Sequence, residues 1–358
     1  MHSTAARKQS GLTLIELMIS ITIGLVILIA IGAAYVNSTN STRQRETQSE
    51  LNDPAANVLR QLRQDVSLAG YVDVFDLEPV SGISQAASLY VPANSTLVNL
   101  YERTGTAVLG TPLTQFFPGL YPVFGCDGAM TGTPYSISTT AGTATLSCGT
   151  GNTTRHTLQL AYQAAPGAAT TPTTSLNAPN ANTGEGRDCN QQSLTAPSSG
   201  GREAKFVINR YYIQANAGDG INELYCAGSG SSTAQPLARG VEEFVVRYQT
   251  AQTGTAGSAA GGAQSRYLLA SEVSDTTINP LGWANVTAVE ICIVSATSTT
   301  GGPAAAGTAT LQTTRPTCTR GADGNFAANI ARTAGDLRLW KRFTSVITVK
   351  NAIFSTPN

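Results

Sequence analysis

One carboxylate in this chain stands where carboxylates are costly. Glu16 is the single group charged at neutral pH in the run from Leu12 to Val36, LTLIELMISITIGLVILIAIGAAYV. A charge held among lipid tails costs about 3 kcal/mol near a helix centre and less near the interface, so its presence asks for a use. Two uses are open. Thr13 and Glu16 have the T-x-x-E spacing of a capping box, which satisfies free amides at a helix start, where the positive end of the helix dipole also favours an acid. Alternatively, the carboxylate meets a cation brought by another chain, in a buried pair where losing one member strands the other.

Other reactive residue types are sparse. Histidine occurs only at His2 and His156, which leaves little imidazole for a triad or a metal site. His156, in TTRHTLQLAY, reads as a polar loop histidine at a strand start rather than as a catalytic base. No P-loop, HExxH or GxSxG pattern occurs, and the Gly-rich tracts are interleaved with Ser, Thr and Ala, as loops are. Asn216, Asp219, Asn222 and Glu223 place four oxygen-bearing side chains within eight residues, a donor set that suits calcium. The order of an EF-hand is missing, and a hairpin turn explains the segment as well. No catalytic residue, cofactor or metal ligand is therefore assigned, and an exported, anchored enzyme is the weaker class.

Six cysteines, Cys126, Cys148, Cys189, Cys226, Cys292 and Cys318, all lie beyond the apolar run. An even count in an exported region, without CxxC spacing, reads as disulfides. Many pairings are formally open; sequential neighbours are favoured, Cys126 with Cys148, Cys189 with Cys226 and Cys292 with Cys318. Each such bond closes a local loop rich in Gly, Ser and Thr, where a crosslink offsets weak packing.

The elements that must position these residues follow from periodicity. A hydrocarbon core about 30 Å thick takes roughly 20 apolar residues at 1.5 Å each, so residues 12–36 span it as one helix. Arg7 and Lys8 precede the run and no comparable basic cluster follows at once, which leaves residues 1–11 cytoplasmic and exports the rest. A cleaved secretory signal has an apolar core of about 7–15 residues and no place for Glu16. A plain anchor explains the length but not Gly11 and Glu16 together. Beyond the run, residues 37–52 continue helical without Pro or Gly, Asp53-Pro54 reads as a restart, and Ala55, Val58, Leu59, Leu62, Val66 and Ala69 form one apolar face. Arg60, Arg63 and Asp65 fall elsewhere on that wheel, and Gly70 is the expected C-cap.

From Tyr71 the period changes to two. Strands are expected at 157–163, 206–214, 223–226, 241–249, 286–295 and 343–350, antiparallel and half-buried, with surface loops at 164–202, 250–265 and 297–314. The chain of 358 residues, with 41% hydrophobic residues, is long enough for a substantial core, and only 12% are charged. Basic and acidic groups balance at 22 each, which leaves no electrostatic footprint for phosphates, so no nucleic-acid partner is predicted.

The order of basic pair, Gly11, Leu12 and Thr13-Leu14-Ile15-Glu16 resembles the processing site of type IV prepilins and of the pseudopilins of type II secretion. The segments AGY at 69–71, GVEEFVVRY at 240–248, VTAVEICIVSAT at 286–297 and RFTSVITVKN at 342–351 look like the strands of PilW-type minor pilins. Two departures exist: Leu12 stands where Phe is usual, and the apolar run has no proline, which points away from a major subunit. The resemblance implies an α+β fold, a long N-terminal transmembrane and assembly helix packed on an antiparallel β-rich head with long loops. It implies a leader at 1–11, a helix at 12–70 with its transmembrane part at 12–36, and a head at 71–358. It implies cleavage between Gly11 and Leu12 by a prepilin peptidase, N-methylation of Leu12, and assembly through Glu16. The partners would be the major pilin and other minor pilins, met through the helix, and the inner membrane, with the head in the periplasm or on the pilus. The implied role is to start or tip a type IV pilus, in support of adhesion, twitching motility or DNA uptake; the alternative is the J-type pseudopilin of a secretion system.

Processing is directly measurable. A peptidase at the membrane surface must fit the backbone close to its catalytic groups, and glycine has no side chain to obstruct it. Gly11→Leu therefore leaves the leader attached. Mass spectrometry of the mature wild-type chain reads a methylated Leu12 at its start; any other start overturns the prepilin reading.

Overall fold

The described residues of the computed structural model are 13–71, 122–131, 147–163, 187–192, 194, 206–230, 233–250, 267–275, 282–297, 313–321, 324–333, 336 and 338–351. Their longest element is α1, Leu14–Leu68, a single helix of 55 residues and about 80 Å. Asp53-Pro54 does not restart it: Pro54 lies inside the helix, and Asp53 accepts a hydrogen bond from Ser49 Oγ instead of capping. Proline removes one ladder bond. Here the burial of Leu51, Ala55 and Val58 on either side holds the helix through it. The helix stops at Gly70, whose φ of +78° only glycine adopts cheaply and whose added Cβ would lie 2.8 Å from the Asn351 carbonyl oxygen. Asn351 Nδ2 faces the last carbonyls of the helix, at 3.3 Å from Ser67 O and 3.4 Å from Leu68 O.

The head is antiparallel. In chain order its elements are β1 (Val123–Cys126), β2 (Gly128–Thr131), β3 (Ser147–Gly151), β4 (Thr157–Gln163), β5 (Phe206–Ala215), β6 (Asn222–Gly228), β7 (Gln235–Arg239), β8 (Val241–Thr250), β9 (Tyr267–Leu268), the short helix α2 (Ala270–Ser274), β10 (Val286–Ala296), β11 (Thr314–Arg315), β12 (Ile330–Ala331) and β13 (Trp340–Thr348). One sheet has the order β1-β4-β5-β6-β7 and a second the order β13-β10-β8-β9; β2-β3 and β11-β12 are separate two-stranded pairs. The last strand begins at Trp340 rather than at 343, because the register with β10 continues to Ala296 opposite Trp340. The expected loops at 164–202, 250–265 and 297–314 lie largely outside the described residues.

Both sheets close on the helix. Leu51, Ala55, Val58, Leu62, Val66 and Ala69 are buried at steps of three and four, and α1 packs on β13, β10, β7 and β4. A single core joins Val58, Leu62 and Val66 to Leu158, Leu160, Tyr211 and Leu224 of the first sheet and to Val246, Val289, Ile291 and Ile347 of the second. The strands β8 and β10 are not half-buried as the alternation suggests. Their outer residues Val245, Cys292 and Val294 are also covered, in a small cluster with Cys318 and Trp340.

Three disulfides fasten segments to this frame: Cys126–Cys148, Cys189–Cys226 and Cys292–Cys318, with Cα separations of 5.3, 6.4 and 5.8 Å. Buried acids complete the fastening. Glu243 accepts from the Cys318 amide at 2.7 Å, Thr317 Oγ1 at 3.0 Å and Arg315 at 2.7 Å. Asp188 accepts the amides of Asn190, Gln192 and Gly230, each at 2.9 Å.

Asp65 locks the helix to the first sheet. It is only 5% exposed, not on the outer side of the wheel where the sequence pattern puts it. Oδ1 accepts from Tyr162 of β4 at 3.1 Å, and Oδ2 accepts from Asn209 of β5 at 2.6 Å and from the Tyr211 hydroxyl. Asn209 Oδ1 in turn accepts the Cys189 amide at 3.0 Å. Burial pushes the Asp65 carboxyl above the ordinary range, against the lowering effect of its three donors. A folded-state value above the unfolded one means that the native state keeps a proton the unfolded chain has lost. The contribution to stability is then full below pH ~4 and is lost as pH rises through the folded value. Asp65→Asn should flatten that slope in denaturant titrations run across pH. Asp65→Leu should strand three buried donors and cost on the order of 3–5 kcal/mol at neutral pH; a loss under about 1 kcal/mol would show the lock to be dispensable.

Candidate functional site: the free half of the helix

The half of α1 that the head does not cover begins with a cap. Thr13 is extended, φ −78° and ψ 152°, and its hydroxyl accepts the Glu16 amide at 3.4 Å. The reciprocal half of the box is absent: among the described residues the Glu16 carboxylate makes no hydrogen bond or ion pair, and its side chain is exposed. Gly11 and Leu12 lie outside the described residues.

From Leu14 to Thr39 the helix is long and apolar enough to cross a membrane, 26 residues or about 39 Å, and none of its most apolar stretch is buried against the head. Ile15, Met18, Val26, Leu28 and Ile29 are all more than half exposed. The hydroxyls in this segment are satisfied by the helix itself: Ser20 donates to the Glu16 carbonyl at 2.7 Å and Thr22 to the Ile19 carbonyl at 2.8 Å. Glu16 is thus the one charged group in a surface that is otherwise fitted to lipid or to other apolar helices.

The remaining candidates from the sequence are used structurally. His156 lies in irregular backbone immediately before β4, as expected, but it is buried rather than solvated. It is 1% exposed, its Nδ1 lies 3.1 Å from the Val246 carbonyl oxygen and 3.8 Å from Asp127, and burial lowers its pKa despite that acid. The backbone around it bridges the two sheets, with the His156 amide donating to Phe244 O at 2.8 Å. The oxygen-rich segment 216–223 is the β5–β6 hairpin turn, 216–221, with the first two residues of β6. Asn216 Oδ1 accepts the Gly218 amide at 2.8 Å, Asp219 accepts the Ile221 amide on Oδ1 at 3.0 Å and pairs with Arg239 through Oδ2, and Asn216 Nδ2 donates to Glu223 at 3.1 Å. No cluster of three or more His, Cys, Asp or Glu fit to hold a metal occurs among the described residues. The residues that periodicity missed are Asp65, Asp188 and Glu243. Nothing in their spacing separates a buried carboxylate from a solvated one, because the partners come from distant strands.

Comparison with known proteins bears on both halves of the chain. The prokaryotic N-terminal methylation motif matches residues 6–32, and the family described as type IV pilus-assembly protein W matches residues 210–351. No curated protein matches the chain. Among solved structures, a type IV-like pilin from Thermus thermophilus covers 55% of this chain and 80% of its own, at 11% identity and a TM-score of 0.23, too distant to carry an argument. The methylation motif lies over the apolar half of α1, and the pilus-assembly match runs from β5 to the Asn351 that closes its other end: the two matches together support a type IV pilin of the PilW type.

Proposed function

We propose that this pilin is a minor subunit that joins or primes a type IV pilus, stored beforehand in the inner membrane with its head in the periplasm. The observation that carries the reading is the open Glu16 carboxylate on an exposed apolar helix. A prepilin peptidase cutting between Gly11 and Leu12 would leave a positive amine one turn from Glu16, N-methylated on Leu12. When helices of neighbouring subunits stack with a stagger, the amine of one meets the Glu16 of the next, away from water, where each charge offsets the other's cost. The major pilin and other minor pilins are then the partners, and assembly rather than turnover is the task. The pilus-assembly match over 210–351 favours the pilus over a secretion pseudopilus.

A local cap and an intersubunit pair give different results on mutation. Thr13→Ala removes a cap worth about 1 kcal/mol and should leave the protein in sheared pili at the wild-type ratio. Glu16→Ala should still be cleaved and folded, yet be absent from sheared pili. Glu16→Ala protein in pili at the wild-type ratio would reduce Glu16 to a helix cap. Unchanged piliation on deletion of the gene, with loss of a secreted enzyme, would transfer the chain to a secretion system.

A further inference from the structure

A cleft of about 530 Å³ opens on the head between the β2–β3 pair and strands β4, β5 and β6. Among the described residues, Arg155 and Arg210 are in its lining and no Asp or Glu is, in a chain whose charges otherwise balance. Arg155 is exposed, and its guanidinium makes no hydrogen bond or ion pair among the described residues. Its backbone, by contrast, is fixed. Asn152 Oδ1 accepts the amides of Thr154 at 3.0 Å and Arg155 at 3.1 Å, and Arg155 bridges to Phe244 of β8. The cation is therefore held at the rim by a rigid turn, while its head remains available. Arg210 is 6% exposed and oriented by Gln159, whose Oε1 accepts Nε at 3.2 Å and Nη2 at 2.9 Å.

Further donors are free. Asn152 uses its oxygen in the turn, and its Nδ2 has no partner among the described residues; the same holds for the Thr150 hydroxyl. The apolar part of the lining is Met130, Ile213 and small alanines, beside Tyr212, whose ring stacks on Tyr225 at 6.2 Å between centroids. Clefts that combine an apolar wall with a few placed polar groups are the usual form of small-ligand sites.

The geometry points to a binding site for an acidic saccharide, a sugar bearing a carboxylate, in the cleft at Arg155. A planar guanidinium takes a carboxylate through two parallel hydrogen bonds. Sugar hydroxyls turn to accept from Asn152 and Thr150, and the carbon-bound faces of a ring pack on Met130, Ile213 and Tyr212. A peptide fits less well, since each residue brings an N–H that needs an acceptor, whereas the free side-chain groups here are mainly donors. The site goes beyond assembly: it would let the exposed head hold an anionic polysaccharide.

The test uses full-length protein in detergent, titrated with trigalacturonic acid and with its methyl ester, which keeps the sugar and removes the charge. The acid should bind saturably and weaken with salt; the ester and the Arg155→Gln variant should each lose at least about tenfold in affinity. Arg239→Gln, at the far end of β7, should bind as wild type. Absence of saturable binding, equal affinity for acid and ester, or wild-type affinity in Arg155→Gln would overturn the site. Because Arg155 is exposed, its variant keeps the fold, and an unchanged thermal transition checks this. Failure here leaves the assembly reading intact, since that reading rests on Glu16 and the family matches and not on this cleft.

Discussion

A single helix has to satisfy two surroundings in one continuous piece, and the architecture follows from that. Its second half carries an apolar stripe, Leu51 to Ala69, that must be covered by protein; its first half carries apolar residues on every side, which the head leaves bare. The strands supply the cover for the second half only. Two sheets lean on the stripe from different strands, β4 and β7 on one side and β10 and β13 on the other, so the helix is the part of the core that both sheets share. Removing it would expose the inner faces of both. Such a helix also transmits position rigidly: whatever holds the free half fixes the head, because no break occurs even at Pro54.

Apolar contact alone leaves a helix free to slide or turn against a sheet, since the stripe repeats. Asp65 removes that freedom. Its three donors come from β4 and β5, and a shift by one turn would leave all of them unmatched in a place closed to water. The lock is costly, as the raised carboxyl pKa shows, and buys one register. Asn351 does related work at the helix end, where it faces carbonyls that have no partner within the helix.

The outer parts of the head are held differently. With few large apolar residues to bury, segments such as 313–321 and 187–192 are attached by a disulfide and a buried acid together. Cys292–Cys318 and Glu243 hold the first; Cys189–Cys226 and Asp188 hold the second. The amides that these acids satisfy belong to irregular backbone that would otherwise carry unpaired donors into the interior. The attachment also explains why β8 and β10 are covered on both faces despite their alternating pattern.

Local pattern was enough for the helix, for its buried stripe at three- and four-residue steps and for the long strands, because burial on one side of a regular element imprints its period on the residues. Cap chemistry at Thr13 and the glycine stop at Gly70 are local too. The sequence alone did not separate Asp65, buried, from Arg63, exposed, two positions away. It did not show that His156, in irregular backbone before β4, is buried at 1% exposure. It left calcium and a hairpin turn both open for 216–223, where the Arg239 ion pair and the turn amides engage the oxygens. The short strands β1, β2, β3 and β7 carry too few residues to show a period. In each case the deciding partner lies far along the chain, and only closure of the two sheets on the helix brings it within hydrogen-bonding distance.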